Sequence, residues 1–97
     1  MMDLGRQVAI GDFERRVGRT FSVQAAGQEV PVVLRACQAL PGSKRDGGGF
    51  RLEFAGPLSP QLGQGTFSFT IERDQYGIFI VPIGASPRSM RYEAIYF

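Results

Sequence analysis

The stretch Gly65-Thr66-Phe67-Ser68-Phe69-Thr70-Ile71-Glu72-Arg73 decides the fold class. Phe67, Phe69 and Ile71 fall on every second position, with small hydroxylated residues between them. A repeat of two is the period of a strand with one face in a core and the other in water. No helix could bury these three side chains together.

The same period extends outward in both directions. Upstream, Phe50, Leu52 and Phe54 alternate with Arg51 and Glu53. Before them Glu29 to Leu40 sets Val30, Val32, Leu34 and Ala36 on one side, and Phe21 and Val23 alternate with Thr20, Ser22 and Gln24. Pro31 lacks a backbone donor, so it predicts a sheet edge near the start of that run. Downstream, Ile78 to Ile83 is apolar on both faces, and Met90 to Phe97 closes the chain with Tyr92, Ala94 and Tyr96 on one side. Between the strands lie turn-forming stretches: Ala26-Gly27-Gln28, Pro41 to Gly49, Gly56 to Gly63, Asp74-Gln75-Tyr76-Gly77 and Gly84 to Ser89. Pro82 would stop ladder pairing and blunt an edge.

Only the first eighteen residues read differently. Asp12 is placed to cap a short helical turn through Glu14, Arg15 and Arg16, closed by Gly18. Phe13 and Val17, four apart, would share its buried face and plug one end of a core. The expectation is therefore an all-β domain over residues 1–97, a small barrel or sandwich of about six mostly antiparallel strands. Residues 1–18 form an N-terminal segment that packs on it. No internal repeat or dividing linker shows in the sequence.

Composition removes much of the chemistry. The 97 residues hold no histidine and one cysteine, so nucleophilic triads and zinc sites lack their usual side chains. Ser59 in Gly-Pro-Leu-Ser-Pro is not a nucleophile elbow. Glu53, Glu72 and Glu93 alternate with apolar neighbours and read as solvent-facing partners of Arg51, Arg73 and Arg91. Asp46 and Asp74 stand alone in turns, far from a calcium loop's spacing. Cys37 cannot form an internal disulfide and is expected to be a packed, inert thiol; the alternative, with Val30 to Ala36 as the buried face, points it outward beside Arg35. No catalytic residue, cofactor or metal ligand is expected, and the chain reads as a non-enzyme. No apolar run reaches the roughly 18 residues of a membrane helix, and no signal-peptide core follows Met1, so a cytoplasmic setting is expected. The closing strand does not fit an outer-membrane barrel either, because Glu93 and Arg91 interrupt the face that Ile95 would need.

The net charge of +2 is uneven: residues 1–45 carry seven basic and four acidic side chains, residues 46–97 four and five. Lys44 and Arg45, in the loop Ser43 to Gly49, are candidate anion contacts, although the loop lacks the order and following helix of a P-loop. Single-stranded nucleic-acid binding is the alternative function. It requires Arg15, Arg16, Arg19, Lys44 and Arg45 to converge on one face. The favoured reading is a protein-interaction or structural module, binding an unknown partner or itself. Its candidate anchors are Tyr76, Phe79, Tyr96 and Phe97, aromatic side chains in the last two strands.

The second half of the chain resembles a family of small bacterial domains with no assigned function. The stretches that carry the likeness are Leu62-Gly63-Gln64-Gly65-Thr66-Phe67, Gly77 to Gly84 with Val81-Pro82-Ile83, and Tyr92-Glu93-Ala94-Ile95-Tyr96. Phe13, Gly18 and Phe21 match the family's opening, whereas Phe97 stands where its members often end in asparagine. The resemblance implies a small β domain associated with phage-tail-like or surface-appendage genes, and it implies no chemistry.

Overall fold

A computed structural model describes residues 8–97; the first seven residues of the expected N-terminal segment lie outside the described residues. Six strands follow one helical turn: α1 (Gly11–Glu14), β1 (Thr20–Ala25), β2 (Gln28–Leu40), β3 (Gly49–Gly56), β4 (Gly65–Ile71), β5 (Asp74–Ala85) and β6 (Met90–Tyr96). All neighbours are antiparallel, and the sheet closes on itself in the order β1-β2-β3-β6-β5-β4. The expected all-β class holds, and closure makes it a barrel rather than a sandwich. No helix among the described residues is long and apolar enough to cross a membrane.

Closure depends on two long strands. β2 pairs with β1 through Val33 and with β3 from Val33 onward, and a bulge at Arg35 bends it where the partner changes. β5 repeats the device: it pairs with β4 through Ile80 and with β6 from Val81, and the bulge falls at Ile83. The chain is thus two three-stranded meanders, β1-β2-β3 and β4-β5-β6, joined edge to edge through β1–β4 and β3–β6. The alternating side chains of all six strands converge inside, with Phe21, Phe54, Phe69, Leu34, Leu52 and Ile78 fully buried.

Apolar side chains from outside the sheet close both ends of the barrel. Where β1, β3 and β5 begin, α1 lowers Phe13 among Phe21, Phe50 and Tyr76, with ring centroids 5.1–6.2 Å away. At the other end the β3–β4 loop buries Leu62, whose N–H donates to the Tyr92 hydroxyl at 2.8 Å.

Several expectations need correction. Asp12 does not cap α1: Ile10 holds the cap position, and the Asp12 carboxylate, inside the first turn, accepts the Ala9 N–H at 2.9 Å. Val17 does not share Phe13's burial, because the turn ends at Glu14 and the chain leaves helical geometry before Val17. The β4–β5 hairpin turns on Glu72-Arg73, with Ile71 opposite Asp74 and Glu72 at φ 54°, and not on Asp74 to Gly77. Gly77 instead lies within β5, opposite Ser68. The expected packing of Cys37 holds: the bulge at Arg35 swaps the parity of the rest of β2, so Cys37 stands opposite buried Leu52 and packs against the core edge, not outward beside Arg35. Burial, and next Glu14, push its thiol pKa up.

Candidate functional site

The base of the barrel, where α1 sits, gathers most of the cations singled out from the sequence. Arg16 is 3% exposed there. Its guanidinium donates to the Tyr76 hydroxyl at 2.9 Å, to Asp74 at 2.5 Å and to Glu72 at 3.2 Å. Burial opposes the charge, but the hydrogen bonds to Asp74 and Tyr76 outweigh it and raise the arginine's pKa. Arg19 stands 4.0 Å from Glu72 on the same hairpin. These contacts tie the helical turn to the β4–β5 hairpin.

Arg45 is also committed. Its guanidinium donates to the Val8 carbonyl at 2.8 Å and lies 5.5 Å from the ring centroids of Phe50 and Tyr96. Lys44 beside it is exposed. A shallow cavity of about 310 Å³ opens here, lined by Val8, Ala9, Arg45, Asp46 and Gly47. Of the five cations that a nucleic-acid surface would recruit, Arg16 and Arg45 are therefore held by groups of this chain.

The carboxylates of the sheet are likewise paired. Glu53 and Glu93 lie directly opposite one another on β3 and β6. Arg51 reaches both, donating to Glu53 at 2.8 Å and closely to Glu93, while Arg91 donates twice to Glu53 at 2.9 and 3.1 Å. Hydrogen bonds from Arg91 and then Arg51 hold the Glu53 carboxyl down at about 2. Glu72 pairs with Arg16 in place of the expected Arg73, because it sits in the turn and not in the strand. A carboxylate held ionised by two guanidinium groups makes a poor proton donor near neutral pH. Among the described residues no group of three or more Cys, Asp or Glu is arranged to hold a metal ion.

The four aromatic candidates separate. Tyr76 is 1% exposed and points into the core, so it cannot anchor a surface contact. With the turn three residues earlier than expected, Tyr76 falls inside β5 and shares the inward parity of Ile78 and Ile80. Tyr96 is half-buried, stacked on Phe50 at 4.7 Å, and burial pushes its phenol up to about 12. Phe79 is 50% and Phe97 73% exposed.

Two aliphatic side chains join the exposed pair. Ile95, 49% exposed, lies two residues past Glu93, and Phe79 lies two residues before Val81, the partner of Glu93. The β5–β6 ladder ends at Val81 and Glu93; carried two residues past that end, its register puts the exposed Phe79 and Ile95 in one outward row. Thr66 flanks it on β4 and Arg51 on β3. Ile83, the bulged residue of β5, is also exposed. The alternation Arg91-Glu93-Ile95 already marked Ile95 as outward, but nothing in the local sequence sets it beside Phe79. That adjacency comes from the β5–β6 register.

No curated protein and no solved structure matches this chain. The model of the family described as a domain of unknown function (DUF6916) matches residues 8–96, the whole barrel and the helical turn before it, and the chain belongs to that family.

Proposed function

We propose that this domain is a protein-interaction or structural module whose contact surface is the outer face of β5 and β6. One observation carries the reading: Phe79 and Ile95, both about half exposed, share an outward row on adjacent strands, with Ile83 and Phe97 exposed on the same two strands' continuation. Large apolar side chains scattered singly over a surface need no explanation, whereas side chains grouped on neighbouring strands lower the cost of contact with another protein. Aromatic anchors of this kind dominate interface energetics. The reading assigns no catalysis to the domain and keeps two of the expected anchors, Phe79 and Phe97. Nucleic-acid binding keeps only Arg15, Arg19 and Lys44 of the five cations expected to converge for it, because Arg16 and Arg45 are engaged within the fold.

Site-specific photo-crosslinking in cells tests the proposal. A photoreactive phenylalanine analogue at position 79 should give protein adducts that the same analogue at Gln24, an exposed position on β1, does not. Equal labelling at both positions, or none at 79, overturns it.

A further inference from the structure

We infer that the partner on this face is a second copy of the chain, related by a two-fold axis that runs parallel to the strands between β5 and β6. The inference rests on the interaction reading above and adds the identity of the occupant.

Area is the first argument. Phe79, Ile95, Ile83 and Phe97 are between 37% and 73% exposed. For side chains of roughly 150–250 Å², that leaves on the order of 400 Å² of apolar surface. A standard interface buries about 800 Å² per partner, a little over half of it apolar. The apolar row and its polar border therefore supply one such interface, without a deep groove that would select a peptide.

Charge is the second argument. The border contains Arg51, Arg91, Glu53 and Glu93, two of each sign, already joined to one another. This face consequently has no net charge, although the chain as a whole carries +2. A second copy meets neither a repelling field nor a stranded charge on desolvation.

Self-complementarity orients the pair. An isologous contact must present the same patch twice. An axis parallel to the strands lays Phe79 of each copy on Ile95 of the other and brings Arg51 over the Thr66 hydroxyl. An axis across the strands between the two outward rows would instead set Ile95 on Glu93, placing an apolar side chain against a charge.

Sedimentation velocity on the full chain, from about 1 µM to about 1 mM, covers the affinities expected of a small interface. The expected result is a shift from 10.6 kDa to twice that mass with rising concentration. The Phe79→Ser/Ile95→Ser double variant should remain monomeric with an unchanged circular dichroism spectrum. Val17→Ser, which removes an exposed apolar side chain at the base of the barrel, should dimerise like the parent. In a Cys37→Ser background, a mixture of Thr66→Cys and Arg51→Cys chains should form the mixed disulfide. Preferential coupling of Arg51→Cys to Glu53→Cys would overturn the orientation. A parent chain that stays at 10.6 kDa throughout, or a double variant that still dimerises, overturns the second-copy inference. If position 79 nevertheless crosslinks to a different protein in cells, the interaction reading survives that failure.

Discussion

Arg16 shows how a residue that reads as surface charge becomes structural. It belongs to the basic run Arg15-Arg16, and either side chain could have been solvated. Arg15 stays exposed and donates to the Gly11 carbonyl at 3.2 Å, while Arg16 turns inward beneath the helical turn and donates to Asp74, Glu72 and Tyr76. A guanidinium can satisfy three acceptors at once because its donors form a planar fork. Replacing it with methionine keeps roughly the volume and removes the guanidinium donors from Tyr76, Asp74 and Glu72. Glu72 and Asp74 are 54% and 31% exposed, so water recovers part of the loss. Arg16→Met should cost about 2 kcal/mol, below the 3–5 kcal/mol typical of a fully buried broken pair. Thermal unfolding should register this as a fall in Tm of roughly 10 °C. Arg16→Lys should fall short of the parent as well, because an ammonium lacks the planar fork. A variant as stable as the parent would show that the hairpin holds α1 without this arginine.

At the scale of the elements, the β1–β2 turn and the prolines within β2 and β5 explain how the sheet is directed. The β1–β2 turn places Ala26 at φ 49° and Gly27 at φ 78°, the paired left-handed geometry that matches strand twist. Alanine is an uncommon choice for the first of these, since its Cβ resists positive φ by about 1–2 kcal/mol. Glycine accepts the geometry but adds freedom to the unfolded chain. Ala26→Gly should therefore stabilise the domain by roughly 0.5–1 kcal/mol, readable as a higher urea midpoint with an unchanged slope. A lower midpoint would mean that the turn is not formed as described. Pro31 and Pro82 lie where β2 and β5 have a ladder on one side only: β3 pairing starts at Val33, and β4 pairing ends at Ile80. A residue without an N–H makes a poor template for another strand, so these overhangs are blunted. The expectation of an edge at Pro31 holds in this local sense, within a barrel that has no free strand. The same reasoning favours face-to-face contact over strand addition on β5.

For the molecule as a whole, the charged ladder on β3 and β6 sets the acid limit. The Glu53 carboxyl, ordinarily near 4.5, is held at about 2 by Arg91 and Arg51. A carboxyl with a lowered folded pKa contributes its full stability above the unfolded value and loses it as pH falls toward the folded one. The parent should therefore lose about 2 kcal/mol of stability between pH 4.5 and 2 through this group, a figure kept below the full shift because Arg91 faces solvent. Glu53→Gln should be less stable at neutral pH and should show a flatter acid limb in urea unfolding at stepped pH. An identical acid limb in parent and variant would locate the acid sensitivity elsewhere.

What the sequence by itself determined is what local geometry controls. The period of two from Phe21 to Tyr96 required strands, the Pro- and Gly-rich stretches required loops, and missing histidine removed the usual nucleophilic machinery. The candidate surface was legible in part: of the four aromatic anchors expected in the last two strands, Phe79 and Phe97 are exposed, while Tyr76 is buried and Tyr96 half-buried. Only the tertiary structure decided that Tyr76 belongs to the core, that Arg16 and Arg45 are engaged within the fold, and that Ile95 shares a row with Phe79. It also decided between barrel and sandwich, through the β1–β4 and β3–β6 ladders. Alternation reports which side of a strand is wet. It carries no record of which distant strand lies alongside, because register is settled by core packing among residues that are far apart in the chain.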